Sequence, residues 1–300
     1  MNTIEITKEY LKKIDNAKTL IPLTYDFAFK RIFSKNKEAL KIFLIKVLDL
    51  EIKPEECTIT LINTEMPKQN KKEYKKTVDL NVILNNNFYV DIEVNQSSFN
   101  RVKFRNSLYQ SKLHTLLLEE GENPKALKEK YIYQLNLNSY EKNMPYGEDI
   151  IVSYGLKTKC VYVDNKYMII KYLEYYRKLY YNENVKNTES EIWLSFLTSE
   201  TFSEAYEMLS KVLDKGQCDK IIGDMIEMSW EGFSLHEWEK EKLDALVEYE
   251  TFEEGKAVGN EEGQKEKSLE IAKSMIKDNI DVDIICKHTR LSKKEIEALK

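Results

Sequence analysis

The sequence predicts an α/β fold with a sheet organised around one β-hairpin, helices that accompany the sheet, and a helical C-terminal extension. The first observation is residues 78–95, VDLNVILNNNFYVDIEVN, where apolar and polar residues alternate on both sides of three asparagines. The second is that Phe29 and Phe33 begin a run of apolar residues at helical spacing, and the third is the helical pattern of residues 203–249. A period of two is typical of strands, whereas a spacing of three or four is typical of amphipathic helices.

The predicted hairpin has two different faces. Asparagine tolerates positive φ, so the run Asn85–Asn87 between two alternating segments predicts a tight turn. Side chains along a strand point alternately to the two faces of the sheet. The apolar face contains Leu80, Val82, Leu84, Val90, Ile92 and Val94. The opposite face contains Asp79, Asn81, Ile83, Asp91, Glu93 and Asn95.

The carboxylates of the second face suggest a metal site. Carboxylates that are held close together repel each other, and removing them from water is costly unless they are paired. A divalent cation between Asp79 and Glu93 would remove both penalties. The alternative is a solvated sheet face, because such alternation is ordinary in antiparallel sheets. The strands alone leave both interpretations open.

Composition narrows the class of protein. The chain has 300 residues, of which 42% are hydrophobic and 32% charged, which is typical of a soluble globular protein. No apolar stretch reaches the roughly 18 residues of a membrane span, and the N-terminus lacks the apolar centre of a signal peptide. The four cysteines and three histidines show no zinc-ligand spacing and imply no disulfides. We therefore expect a cytoplasmic protein with reduced thiols.

The formal net charge of −5 excludes a globally basic nucleic-acid coat but allows a local basic groove. A lysine cluster comes just before Asp79, and basic residues follow one face of a helix predicted near residues 98–119. Both sets either bind phosphates or are solvated charges. They comprise Lys68, Lys71, Lys72, Lys75 and Lys76 in the cluster, and Arg101, Arg105 and Lys112 in the helix.

Residues 24–33, TYDFAFKRIF, predict a helix near the N-terminus with Thr24 as its N-cap. Asp26 and Lys30 are four residues apart and share one face of this helix. One interpretation is an ion pair worth about 0.3 kcal/mol. The other is that Asp26 approaches the metal from a neighbouring helix.

The remaining pattern divides the chain into five segments. Further strands are predicted at Thr58–Ile62, Tyr131–Leu137, Asp149–Leu156, Lys159–Val163 and Tyr167–Leu173. Glycines at every fourth position from 255 to 263 indicate a weak helix or a hinge, since each glycine costs a helix about 1 kcal/mol. The segments are a leader at 1–20, a core at 21–185, a helical extension at 186–250, a Gly/Glu-rich linker at 251–267 and a helical tail at 268–300.

The tail predicts three helices, the last opened by a capping box that starts at Ser292. Two short helices joined by a tight turn are typical of helix-turn-helix units. The alternative is a small appendage that either packs on the protein or mediates oligomerisation. In the second case, the protein would be a homo-oligomer through its C-terminal helices.

Taken together, these segments resemble the recombination-promoting nuclease and transposase family, a branch of the PD-(D/E)XK nuclease superfamily. The resemblance spans nearly the whole chain. It rests on TYDFAFKRIF at 24–33, Asn63-Thr64-Glu65, VDLNV at 78–82, DIEVN at 91–95, the Arg105–Tyr109–Ser111 helix, Gln134-Leu135-Asn136, the Trp193 helix, the EEGKAVGNEEG linker and the tail.

The resemblance implies a central mixed sheet flanked by helices, with a nuclease core at residues 21–185. It implies that Asp79 and Glu93 bind Mg²⁺ or Mn²⁺, that Asp26 assists, and that Asn95 takes part in catalysis. The position of Asn95 normally carries Lys, or Gln in this branch. The departure leaves two outcomes open: weakened activity, or a charge supplied by Lys30 or Lys76. DNA would be held by Lys30, Lys75, Lys76, Arg101 and Arg105.

Three hypotheses about function follow from the sequence. The first is a Mg²⁺-dependent DNA endonuclease that promotes recombination or transposition by metal-assisted phosphodiester hydrolysis. The second is a catalytically weakened nuclease fold that binds DNA or a protein without cutting, which is motivated by Asn95. The third is an assembly factor that acts through its tail.

Overall fold

A computed structural model describes residues 6–62, 80–96, 106–108, 110, 111, 117, 123–141, 143–278 and 280–299, without the side chains of residues 124 and 248–264. The chain divides into two compact units, Met1–Ala245 and Leu246–Lys300. The first unit contains the sheet, and the elements described in the second are helices.

The first unit is built on a six-stranded mixed sheet with the strand order β1-β2-β3-β4-β6-β5. β3 is parallel to β4, and β4 is parallel to β6, whereas the other neighbours are antiparallel. This arrangement confirms the predicted α/β class and the mixed sheet. The strands are β1 Ile59–Ile62, β2 Leu80–Leu84, β3 Phe88–Asn95, β4 Tyr131–Asn138, β5 Glu148–Tyr154 and β6 Val161–Tyr172.

The predicted hairpin is confirmed as β2 and β3. Asn85 and Asn86 have φ of 49° and 59°, so both occupy the left-handed region that asparagine tolerates. The two strands pair with Leu80 opposite Ile92 and Val82 opposite Val90. The apolar residues of both strands therefore share one face of the sheet, as the alternation predicts.

Helices flank the sheet and bury its apolar face. A cluster of Phe29, Phe33, Phe43 and Trp193, all fully buried, packs with the apolar side chains of β2–β4 in one core. The α-helices whose bounds the structure describes are α1 Lys8–Ala17, α2 Asp26–Lys35, α3 Lys37–Val47, α4 Leu173–Tyr180, α5 Glu189–Phe196, α6 Phe202–Leu209, α7 Lys215–Trp230, α8 Gly232–Lys277, α9 Val282–Thr289 and α10 Lys293–Glu297.

The strands predicted at Lys159–Val163 and Tyr167–Leu173 are parts of one long strand, β6. The polar residues between them do not interrupt it, because Asn165 is 7% exposed and its amide donates to the backbone carbonyls of Leu127 and Lys130. Buried polar groups that are hydrogen-bonded are compatible with a continuous strand. The chain then continues into α4 at Leu173.

The predicted N-cap at Thr24 is wrong by one residue. α2 begins at Asp26, and its N-cap Tyr25 makes no side-chain capping bond. The backbone N–H groups of Asp26 and Phe27 instead donate to the carboxylate of Glu241, at 3.1 and 3.3 Å. A capping group 215 residues away cannot be predicted from local sequence.

The second unit confirms the predicted helices of the tail. α9 and α10 pack with the end of α8 around Ala272, Ile285, Leu291 and Ile296. Ser292 forms the predicted capping box with Glu295 at the start of α10. The glycine-spaced residues 255–263 are helical and lie within α8. Among the described residues, no helix combines the length and apolar character needed to cross a membrane.

Candidate functional site

The face of the sheet opposite the main core carries a buried polar layer. Asp91, Glu93 and Asn95 of β3 lie on this face, and their side chains are 0%, 1% and 3% exposed. The parallel register places an amide of β4 beside each of them. The pairs are Asp91 with Gln134, Glu93 with Asn136, and Asn95 with Asn138. The predicted shared face of Asp91, Glu93 and Asn95 is therefore present, but it is buried rather than solvated.

Hydrogen bonds link the two strands of the layer. Gln134 donates to the carboxylate of Asp91 at 3.2 Å, and Asn95 donates to the Oδ1 atom of Asn138 at 3.0 Å. The side chain of Asn136 accepts a hydrogen bond from Asn106, one of the described helical residues between β3 and β4. Described residues between β3 and β4 thus contact this face, since Leu117 also packs against Ile132 of β4.

Besides the carboxylates of Asp91 and Glu93, the layer contains buried amide oxygens. The amide oxygens of Asn81, Asn106 and Gln134 are buried and accept no hydrogen bond from any residue that the structure describes. Carboxylate and amide oxygens are hard ligands that suit Mg²⁺, Mn²⁺ or Ca²⁺. The layer therefore fits a hard divalent cation better than zinc.

The N-terminus of α2 lies beside the carboxyl ends of β3 and β4. Gln96, which follows β3, donates to the backbone carbonyl of Thr24 and accepts from Ser139 at 2.9 Å. Asp26 comes two residues after Thr24, and its carboxylate accepts from Lys30 at 2.7 Å. The predicted ion pair between Asp26 and Lys30 is thus confirmed. The role of Asp26 in assisting metal binding stays a prediction.

Other predicted site residues fall outside the described part of the chain, namely Asp79, Lys75, Lys76, Arg101 and Arg105. Within the described residues, no group of three or more His, Cys, Asp or Glu side chains is placed to hold a metal ion. The metal site predicted at Asp79 and Glu93 has only one member among those residues.

The capping residue Glu241 has an unusual environment. Burial, and then the nearby negative charge of Asp26, raise the pKa of Glu241 from its ordinary value of 4.5 to about 7. Between pH 4.5 and about 7, the folded protein therefore binds more protons at Glu241 than the unfolded chain does. The free energy of unfolding should fall as pH rises through this window.

We expect the substitution Glu241→Gln to weaken this pH dependence in metal-free buffer with EDTA, because it removes the group that titrates. Urea unfolding at pH 4.5, 6 and 8 measures the effect. Glu239→Gln, an exposed position of the same helix, is the matched control. An unchanged pH profile in the Glu241 variant would assign the titration to other groups.

A family model described as PD-(D/E)XK nuclease family transposase matches residues 23–250. The chain belongs to this family. No curated protein and no solved structure matched the chain. The PD-(D/E)XK match covers the sheet, the polar layer and helices α2–α7, so the six-stranded mixed sheet is the nuclease-type core that the resemblance implied.

Sequence reasoning missed most of the polar layer of this PD-(D/E)XK protein. The alternation of residues 131–137 signalled a strand, and it placed Gln134 and Asn136 on one face. It did not indicate that this face lies beside Glu93, because the segments are about 40 residues apart in sequence and meet only through the parallel pairing of β3 with β4. Glu241 left no sequence signal.

Proposed function

We propose that this protein is a Mg²⁺- or Mn²⁺-dependent DNA endonuclease that promotes recombination or transposition by hydrolysing phosphodiester bonds. The observation that supports the proposal most is the burial of Glu93 in a layer of carboxylates and amides, within a chain of the PD-(D/E)XK family. The carboxylate and amide oxygens of this layer are the hard ligands that Mg²⁺ and Mn²⁺ prefer.

The pairing of the hairpin supports Asp79 as the second ligand. β2 and β3 pair with Leu80 opposite Ile92. In the sequence, Asp79 directly precedes Leu80 and Glu93 directly follows Ile92. Directly opposed residues of an antiparallel pair have Cβ atoms about 4.5–5.5 Å apart, which suits two carboxylates that share one ion.

In this proposal, separate residues bind the metal, orient the attacking water and contact DNA. Asp79 and Glu93 would hold the cation, which when bound lowers the pKa of a water and polarises the scissile phosphate. Asn95 would orient the attacking water by hydrogen bonding. Lys30, which pairs with Asp26 in α2, and the basic residues Lys75, Lys76, Arg101 and Arg105 would contact DNA phosphates.

Nicking of supercoiled plasmid tests the proposal. We expect cleavage with Mg²⁺ or Mn²⁺ and none with EDTA. The Asp79→Ala variant should cleave at least about 100-fold more slowly than the wild type. Even mutations of residues that only hydrogen-bond to a metal ligand reduce activity about 10- to 100-fold. Equal cleavage by the wild type and this variant would remove Asp79 from the mechanism.

A second candidate is a nuclease fold that binds DNA without cutting it. The observation that favours it is that the side-chain nitrogen of Asn95 is bound to Asn138, at the position where the family resemblance has Lys or Gln. This candidate predicts DNA binding that weakens steeply with salt and no cleavage in either metal. The plasmid assay, combined with a binding assay at several salt concentrations, separates the two.

A further inference from the structure

A chain of hydrogen bonds joins Asn95 in the polar layer to side chains that follow β4. The Nδ2 atom of Asn95 donates to the Oδ1 atom of Asn138 at 3.0 Å. The Nδ2 atom of Asn138 donates in turn to Tyr140 at 3.0 Å and to the carboxylate of Glu141 at 3.1 Å. Asn95 and Asn138 are 3% and 4% exposed, whereas Glu141 is half-buried.

The direction of this chain is set by Glu141. An amide has a donor end and an acceptor end of similar shape, so an amide pair can bond in either direction. An ionised carboxylate can only accept. The NH₂ group of Asn138 must therefore face Glu141, its oxygen must face Asn95, and Asn95 must present its own NH₂ group to β4.

We infer that Glu141, acting through Asn138, fixes Asn95 as a hydrogen-bond acceptor toward the proposed catalytic site. The inference deepens the proposed function and rests on it. Because the nitrogen of Asn95 faces β4, its oxygen points away from β4. That oxygen can accept a hydrogen bond from the attacking water but cannot donate one to the phosphate, as a lysine at this position would. Glu141 and Asn138 are thus positioning residues.

The substitution Glu141→Lys tests the inference because an ammonium group only donates. It should turn the amide of Asn138 around, so that Asn95 loses its acceptor and its oxygen turns to β4. We expect hydrogen exchange of the Asn95 side-chain NH₂ to accelerate about fivefold or more, the factor of one lost hydrogen bond. NMR measures this exchange, and the signal is assigned through its absence in Asn95→Asp.

Cleavage provides the second measurement. The single-turnover rate of Glu141→Lys should fall about tenfold, as for other groups that orient active-site residues. The affinity for Mn²⁺ should stay within about twofold, since the substitution leaves Glu93 in place. Glu183→Lys makes the same charge change at an exposed loop position and should leave all three quantities unchanged.

A double variant, Asn138→Asp with Glu141→Gln, keeps the net charge and moves the carboxylate one step closer to Asn95. Because Asn95 can then only donate to residue 138, its polarity is preserved. We expect exchange and cleavage close to the wild type. This rescue also keeps the inference testable if Glu141→Lys fails to fold.

Two results would overturn the inference: wild-type exchange in Glu141→Lys, or a double variant that behaves like Glu141→Lys. If the wild type cleaves DNA in neither metal, the proposed function fails. The exchange measurements still decide whether Glu141 sets the polarity of Asn95.

Discussion

Replacing Glu93 with glutamine is expected to reduce metal-dependent DNA cleavage at least about 100-fold while the protein stays folded. The change keeps the shape of a side chain that is 1% exposed and removes its charge. It also removes the repulsion between Glu93 and Asp91, so the free energy of unfolding without metal should not decrease. Single-turnover cleavage and urea unfolding measure the two quantities.

Asp91→Asn is the matched control for Glu93→Gln. Asp91 is equally buried, lies on the same face of β3, and accepts a hydrogen bond from Gln134. We expect Asp91 to stabilise the polar layer without binding the metal. The single-turnover cleavage rate of its variant should therefore stay within about tenfold of the wild-type rate. An equal loss of cleavage in the two variants would show that Glu93 is not the metal ligand of this pair.

Replacing Trp193 with alanine is expected to lower the free energy of unfolding by about 3–5 kcal/mol, the usual cost of removing a large aromatic side chain from a core. Trp193 is fully buried in α5. Its ring centroid lies 5.8 Å from that of Phe43, 5.9 Å from that of Phe196 and 6.5 Å from that of Phe33. Such a loss is a large fraction of the stability of a typical domain.

Trp230→Ala provides the comparison for Trp193→Ala. Trp230 is 55% exposed, and its ring has Lys18 at 4.3 Å from the centroid. Removing an exposed cation–π contact should cost about 1 kcal/mol or less. Chemical denaturation of both variants measures the difference. Equal losses would show that α5 is not a central element of the core.

The β2–β3 hairpin was predictable because its information is local. Alternation over a few residues decides which face a side chain occupies, and consecutive asparagines allow the positive φ of the turn. The capping box at Ser292 and the ion pair between Asp26 and Lys30 were predictable for the same reason, since each joins residues three or four positions apart.

The polar layer depended on contacts between distant segments. The carboxylates of β3 are buried beside the amides of β4, and the helical residue Asn106 donates to one of those amides. Nothing in the alternation of β3 separates this arrangement from a solvated face. The cap on α2 is a similar case, because the carboxylate of Glu241 reaches Asp26 and Phe27 only after α8 has packed against α2.

The sequence by itself determined the strands, most helices, the shared face of Asp91, Glu93 and Asn95, and the resemblance to PD-(D/E)XK nucleases. Only the tertiary structure decided that this face is buried, that Asn95 donates to Asn138, and that Asn138 donates to Glu141. The physical reason is that backbone periodicity acts over a few residues, whereas burial and hydrogen-bond direction depend on which strands become neighbours in the sheet.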